Sequence, residues 1–402
     1  MAEYGMRCLN LASEKEALEA LKRAEVDPYG IQAMLPKMIH LNIVLEGMES
    51  PVANLIKQEM LSLGGDAAIA RGAVDCSVAR TDLILMGTLL QVQRFADRVS
   101  AQPFGLGEIS ERLQVTLKNL FSNTFPLRTS RREIILGERT LIMGIINVTP
   151  DSFSDGGRFD SPEQAVEEGI RMAEEGADIL DIGGESTRPG SDPVSPKEEL
   201  RRVIPVIRAL ASRINLPLSV DTMKASVARK ALEEGAEIIN DVSAMEYDKT
   251  MAKVVADTGA AVVLMHMRGV PKSMQTGELA YHSLRGEIIS YLRRRIEQAG
   301  KAGIDPTKIV VDPGIGFGKS AEDNMRLIRY LREFNILGRP VLVGASRKAF
   351  IGRVMGGTPA ERGAGTAAAV TAAILNGGQI MRVHDVAMMK KVAAVADAIL
   401  RG

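Results

Sequence analysis

From residue 133 onward the chain alternates two kinds of segment. Short apolar runs rich in valine, isoleucine and leucine fall at 141–148, 178–182, 217–220, 237–240, 261–265, 309–311, 340–343 and 379–383. Longer amphipathic stretches follow them near 162–175, 195–213, 224–234, 248–257, 283–302, 321–334, 360–376 and 386–400. The runs show little polar alternation, the mark of strands buried on both faces in a parallel sheet. Eight β/α units in about 270 residues match a TIM barrel. The competing solution is an open doubly wound sheet. The count of eight and the lack of G-x-G-x-x-G after the first run favour the barrel.

Residues 1–125 read differently. The pattern predicts strands at 38–44 and 81–86 and helices at 50–63, 90–100 and 108–120. Gly64-Gly65 marks a turn before a third strand at 67–71. Residues 126–132, with Pro126 and the basic Arg128, Arg131 and Arg132, read as a linker. The expected fold class is therefore α/β: a (β/α)8 TIM barrel at 133–402, preceded by a small α/β N-terminal domain of unassigned role.

Composition narrows the function. Lys+Arg and Asp+Glu are equal at 50 each, so no basic field recruits nucleic acid. The two cysteines, Cys8 and Cys76, have neither metal-ligand spacing nor a disulfide framework, which suits a reduced, cytoplasmic chain. The four histidines (His40, His266, His282 and His384) are scattered, and no zinc site is expected from them. The first residues lack a basic region followed by an apolar one, so no secretory signal is expected. No uncharged apolar stretch is long enough for a membrane span.

Polar residues gather where the apolar runs end, and in a TIM barrel that face carries the active site. Asp221 and Asp312 each end a run, and Asn240 ends the run between them. A carboxylate at a dry barrel mouth needs hydrogen-bond donors, and the N–H edge of a flat nitrogenous ring supplies them. Any one of the three can instead cap the following helix. Lys348 follows the seventh run. Arg382 and His384 share strand parity at the eighth, and Arg188 lies after the second. Cations so placed suit phosphate oxygens, although a lone histidine at a strand end is commonly a packed, hydrogen-bonded residue. Asn147 ends the first run, where an amide oxygen can hold Mg2+ beside a diphosphate. Phe153 is unusual in a loop so polar. It can cover an aromatic substrate or anchor the loop on the rim. Gly314–Lys319 looks like a phosphate loop without the G-x-x-x-x-G-K-[ST] spacing. It can equally let backbone approach a flat ligand, with Phe317 packing on it.

These residues fall in motifs. NVTPDSFSDGG (147–157) and DIGGESTRPG (181–190) resemble the two signatures of dihydropteroate synthases. The resemblance continues through SVDTMK (219–224), IINDVSA (238–244), LMHMRG (264–269), VDPGIGFGK (311–319), GASRKAFIG (344–352) and RVHDV (382–386). It covers 133–402, and compact members of that family lack the first 125 residues. The resemblance implies that Asp221, Asn240, Asp312 and Lys348 bind a pterin ring, with Met265, Phe317 and Gly344 beside it. Asn147 would hold Mg2+ on the diphosphate, which Arg382 and His384 would bind. Asp155 and Arg188 would order the closed site and the diphosphate. Phe153, Thr187, Pro189 and Ser346 would frame p-aminobenzoate. The catalytic set is then Asp155, Arg188, Lys348, Arg382 and His384. The family also implies a homodimer and a sulfonamide target.

The implied reaction joins 6-hydroxymethyl-7,8-dihydropterin diphosphate to p-aminobenzoate in folate biosynthesis, by dissociative displacement at the pterin CH2. The rival within the same barrel class is a methyltransferase passing a methyl group from methyltetrahydrofolate to a corrinoid. That reaction has no use for a diphosphate site. A non-catalytic relative would show broken motifs, and here they are whole.

Overall fold

The structure is a computed structural model that describes residues 5–11, 13–148, 162–186, 191–269, 274 and 279–401. It divides into two units, Met1–Phe121 and Ser122–Gly402.

The first unit runs α1 (Glu14–Arg23), α2 (Pro28–Met38), β1 (His40–Glu49), α3 (Ser50–Ser62), β2 (Asp66–Ile69), α4 (Arg71–Val74), β3 (Arg80–Thr88), α5 (Leu89–Val99) and α6 (Leu106–Leu120). The strands form an antiparallel sheet in the order β1-β3-β2. Strict alternation on β3 turns Leu83 and Leu85 inward, where they join Ile56 and Met60 of α3 and Val92 and Phe95 of α5 in one core. Thr88 and Gln91 form a capping box that starts α5 directly from the strand. The three expected strands and three expected helices are present. Helices α1 and α2 were not expected, because α1 is mostly charged and α2 contains Gly30 and Pro36.

The second unit begins with a hairpin of β4 (Phe125–Arg128) and β5 (Glu133–Leu136). The barrel elements follow: β6 (Leu141–Asn147), α7 (Pro162–Glu174), β7 (Ile179–Gly183), α8 (Pro196–Arg213), β8 (Leu218–Asp221), α9 (Ala225–Glu233), β9 (Ile238–Asp241), α10 (Met251–Thr258), β10 (Ala261–Met265), α11 (Leu284–Lys301), β11 (Ile309–Asp312), α12 (Ala321–Arg329), β12 (Leu342–Val343), α13 (Ala349–Met355), α14 (Gly363–Leu375), β13 (Ile380–Val383) and α15 (Val386–Arg401). Strands β6 to β13 make an eight-stranded parallel sheet in the order β11-β10-β9-β8-β7-β6-β13-β12. A bridge from Val311 to Val341 joins its two ends and closes a (β/α)8 barrel.

Side-chain parity splits the barrel into two cores. Outward residues such as Ile142, Leu180, Val220, Ile239, Leu264, Val311 and Met381 pack under the helices. Inward residues Leu141, Met143, Ile179, Ile238, Ala261, Val263, Val310, Leu342 and Ile380 fill the lower interior. Phe125, Leu127 and Leu136 of the hairpin belong to that inner core and stopper the barrel's lower end. Burying a leucine such as Leu127 is worth about 1.5–3 kcal/mol. Arg132 and Thr129 fasten the hairpin to buried Glu237, at 2.7 Å from Arg132 Nη2 and 2.6 Å from Thr129 Oγ1. The expected linker at 126–132 is thus corrected: it is most of a hairpin, belongs to the second unit, and is held by packing and ion pairing. No helix among the described residues is long and apolar enough to cross a membrane.

Candidate active site

The same inward parity, followed upward, leads from hydrocarbon to polar chemistry. Above Met143 stand Ile145 and Asn147; above Ile179, Asp181; above Ile238, Asn240; above Val263, Met265; above Val310, Asp312; above Ile380, Arg382. Ser219 and Asp221 take the inward positions of β8, with Asp181 paired to Ser219 and Asp221 to Asn240. Six of the eight strands thus place Asn147, Asp221, Asn240, Met265, Asp312 and Arg382 at one mouth.

Arg382 is the hub. Its Nε donates to Asp181 Oδ2 at 2.6 Å and its Nη2 to Asp221 Oδ2 at 2.8 Å. Asn240 Nδ2 donates to the same Asp181 oxygen at 2.9 Å. The expectation for Arg382 was a cation directed to phosphate; the structure shows two of its nitrogens directed to carboxylates. Burial disfavours its charge, but Asp181 and Asp221 outweigh that and hold its pKa above the ordinary value. Burial pushes Asp221 up to about 7, with Arg382 opposing. Asp181 Oδ1 is buried with no hydrogen-bond partner among the described residues, as is Ser219 Oγ beside it in register.

The opposite wall is built from β11 and the turns after it. Asp312 Oδ1 accepts the Gly314 N–H at 2.7 Å, and burial raises the pKa of this carboxyl. Lys348 donates to the Ile315 carbonyl, and its Nζ lies 4.1 Å from the centroid of the Phe317 ring. Burial lowers Lys348 to about 7, against the pull of Asp312. Met265, Phe317, Met223, Val242 and Met274 form a separate apolar cluster here, with Met267 at its edge. Methionine and phenylalanine offer a polarizable surface for a flat ring. Ser346 Oγ lies 3.0 Å from His384 Nδ1 and accepts the His384 backbone N–H at 3.3 Å. Gly344 leaves open space where a side chain would stand.

Several expected residues are thus brought together: Asp221 with Arg382, Asn240 with both through Asp181, Met265 with Phe317, Lys348 with Phe317, and Ser346 with His384. Asn147 ends β6 in register with Gly183. Phe153, Asp155, Thr187, Arg188 and Pro189 lie outside the described residues. The reading by strand ends overlooked Asp181, whose signal was its inward parity two places before Gly183. It also overlooked Lys224, between β8 and α9, which is buried against Glu185 of the loop after β7 and Glu199 of α8. Among the described residues no three His, Cys, Asp or Glu side chains gather to hold a metal.

Comparison with known proteins follows the same division of the chain. A family model described as pterin binding enzyme matches residues 143–384. The dihydropteroate synthase of Synechocystis sp. is 46% identical over 277 residues, 69% of this chain and 96% of that protein. A probable bifunctional folylpolyglutamate synthase/dihydropteroate synthase of Halobacterium salinarum is 42% identical over 390 residues, 96% of this chain and 46% of that protein. The chain therefore spans about half the length of that relative, and the match takes in most of the first unit as well as the barrel. The solved dihydropteroate synthase of Xanthomonas albilineans with 4-aminobenzoic acid matches with a TM-score of 0.64 at 47% identity, covering 69% of this chain and 98% of that one. With its barrel, its strand-end residues and these relatives in agreement, the chain belongs to the pterin-binding enzymes, among the dihydropteroate synthases.

Proposed function

We propose that the barrel condenses 6-hydroxymethyl-7,8-dihydropterin diphosphate with p-aminobenzoate, giving 7,8-dihydropteroate and diphosphate. The observation that carries this reading is the inward ring of Asp221, Asn240, Asp312 and Lys348 beside the Met265 and Phe317 wall. Carboxylate and amide acceptors match the N–H edge of a pterin, the lysine matches its carbonyl, and the wall matches its face. The 4-aminobenzoic acid held by the X. albilineans relative supports the second substrate.

In this reading the pterin CH2–O bond breaks and its electron pair leaves with diphosphate. The carbocation left behind is delocalised into the ring, over Asp221 and Asp312. The arylamine nitrogen then forms the new C–N bond and releases a proton. Arg382 and His384 face the departing diphosphate and favour its charge. Phe153, Thr187, Pro189 and Ser346 frame the arylamine, and Asp155 and Arg188 order the loops around it. Asn147 offers one hard amide oxygen at the mouth. That fits Mg2+, which keeps most of its water and takes one or two protein oxygens beside substrate phosphates. Bound there, Mg2+ would neutralise diphosphate charge.

The reading is tested by diphosphate release from the pterin substrate with full-length protein. Release should require p-aminobenzoate, and dihydropteroate should appear in equal amount. Turnover indifferent to p-aminobenzoate would sink it.

A pH profile follows from two groups pushed toward neutrality. Asp221, raised to about 7, must be ionised to accept N–H donors. Its share of affinity is therefore lost as pH falls below that value. Lys348, lowered to about 7, must be charged to favour the ring carbonyl, so its share is lost as pH rises. Affinity for 6-hydroxymethylpterin, measured by calorimetry, should peak near neutral pH and fall by up to about tenfold per unit on the acid side. Asp221→Asn should bind more weakly and remove the acid limb. An unchanged acid limb in that variant would exclude Asp221 as its source.

A further inference from the structure

Lys319 is a buried lysine that the proposed reaction does not use; it is 2% exposed, and burial lowers its pKa to about 7 against the pull of Asp312. It closes the turn Gly314–Lys319, in which Gly314, Gly316 and Gly318 adopt φ of +72°, +84° and +65°. Side chains rarely tolerate that backbone region. The packing is also too close for one: a Cβ on Gly314 would lie 1.9 Å from the His266 carbonyl oxygen.

The Lys319 Nζ has three acceptors. The Phe317 carbonyl lies at 2.9 Å, the His266 carbonyl at 3.2 Å and His266 Nδ1 at 3.0 Å. An ammonium has three N–H donors, so the set matches in number. An imidazole that accepts at Nδ1 carries its proton on Nε2 and is neutral. Burial, and then the Lys319 charge, keep it so by pushing His266 down to about 2. Two further bonds hold the turn: Gly316 N–H donates to Asn324 Oδ1 at 2.6 Å and Tyr281 OH to the Gly318 carbonyl at 2.9 Å. The turn carries Phe317, and its Ile315 carbonyl accepts from Lys348.

We propose that Lys319 is a positioning residue for the pterin ring. Its ammonium ties the glycine turn after β11 to His266 at the end of β10, and thereby fixes Phe317 and Lys348 against the ring. This rests on the function proposed above. A purely structural lysine would lower thermal stability and leave the ring affinity of folded molecules unchanged.

The test uses full-length protein and 6-hydroxymethylpterin as probe. Lys319→Met keeps the stem and removes all three donors. Its Kd for the probe should rise at least about tenfold, since hydrogen bonds from a charged group are involved. At saturating pterin substrate, the KM for p-aminobenzoate should stay within about twofold of the parent, because the turn faces the ring. With Phe317→Ala the losses should be strongly non-additive, since one residue acts through the other. If Lys319→Met does not fold, Tyr281→Phe removes a different tether of the same turn and should raise Kd about threefold. A folded Lys319→Met that binds within about twofold of the parent, additive losses in the cycle, or an unchanged Tyr281→Phe would overturn the proposal. A parent protein that neither binds the probe nor releases diphosphate overturns the proposed function and this inference together. A parent that does both, with a Lys319→Met that binds like it, overturns this inference alone.

Discussion

Replacing Arg382 by alanine is expected to lower turnover by about a thousandfold or more while leaving the barrel folded. Two losses combine. The site loses the cation that faces the leaving diphosphate in the proposed reaction. It also loses the ion-pair partner of two buried side chains, at 2.6 Å from Asp181 and 2.8 Å from Asp221. Without it, the rise that burial imposes on Asp221 goes unopposed by Arg382, and a protonated Asp221 is a poorer acceptor for ring N–H groups. Lysine should restore little, because its point charge lacks the planar guanidinium whose Nε and Nη2 fix the spacing of the two contacts. The check is kcat with both substrates, beside a circular dichroism spectrum that shows the fold unchanged. Near-normal turnover in Arg382→Ala would remove that residue from the mechanism.

The second large effect is expected at Asp181, which the proposed pterin contacts do not include. Its Oδ2 receives hydrogen bonds from both Asn240 and Arg382, so it sets the direction of two substrate-facing groups. Asp181→Asn keeps the size and one acceptor but removes the charge. Charge-assisted hydrogen bonds are worth about 1.5–3 kcal/mol each, so losing their character at both partners should cost about a hundredfold in turnover. Pterin affinity should weaken as well, because Asn240 is no longer held. The pair of measurements is kcat and the Kd of 6-hydroxymethylpterin. A variant within threefold of the parent in both would show that Asn240 and Arg382 keep their places without the charge.

Much of this site is legible in the amino-acid sequence. The run at 261–265 is β10 residue for residue, and the other seven runs each overlap a barrel strand. Buried parallel strands are uninterrupted hydrocarbon, so their ends show plainly in the chain. Asp221, Asn240 and Asp312 stood out because each interrupts such a run. Asp181 did not, because Ile182 and Gly183 carry the run on past it. Only its parity, shared with Ile179, gives it away. Lys319 was hidden by its company: after three glycines it reads as the lysine of a phosphate loop, and two of its three acceptors belong to His266, 53 residues away in sequence. The β4–β5 hairpin was missed for a related reason. Pro126 and three arginines suggested solvent, yet Phe125, Leu127, Ile134 and Leu136 alternate as strand residues do. A four-residue strand carries too little pattern to outweigh its neighbours.

That hairpin settles a question of ownership. The greasy lower end of the barrel is sealed from within its own unit, by residues that follow Ser122. A chain cut between Phe125 and Leu136 would therefore breach the barrel's own inner core.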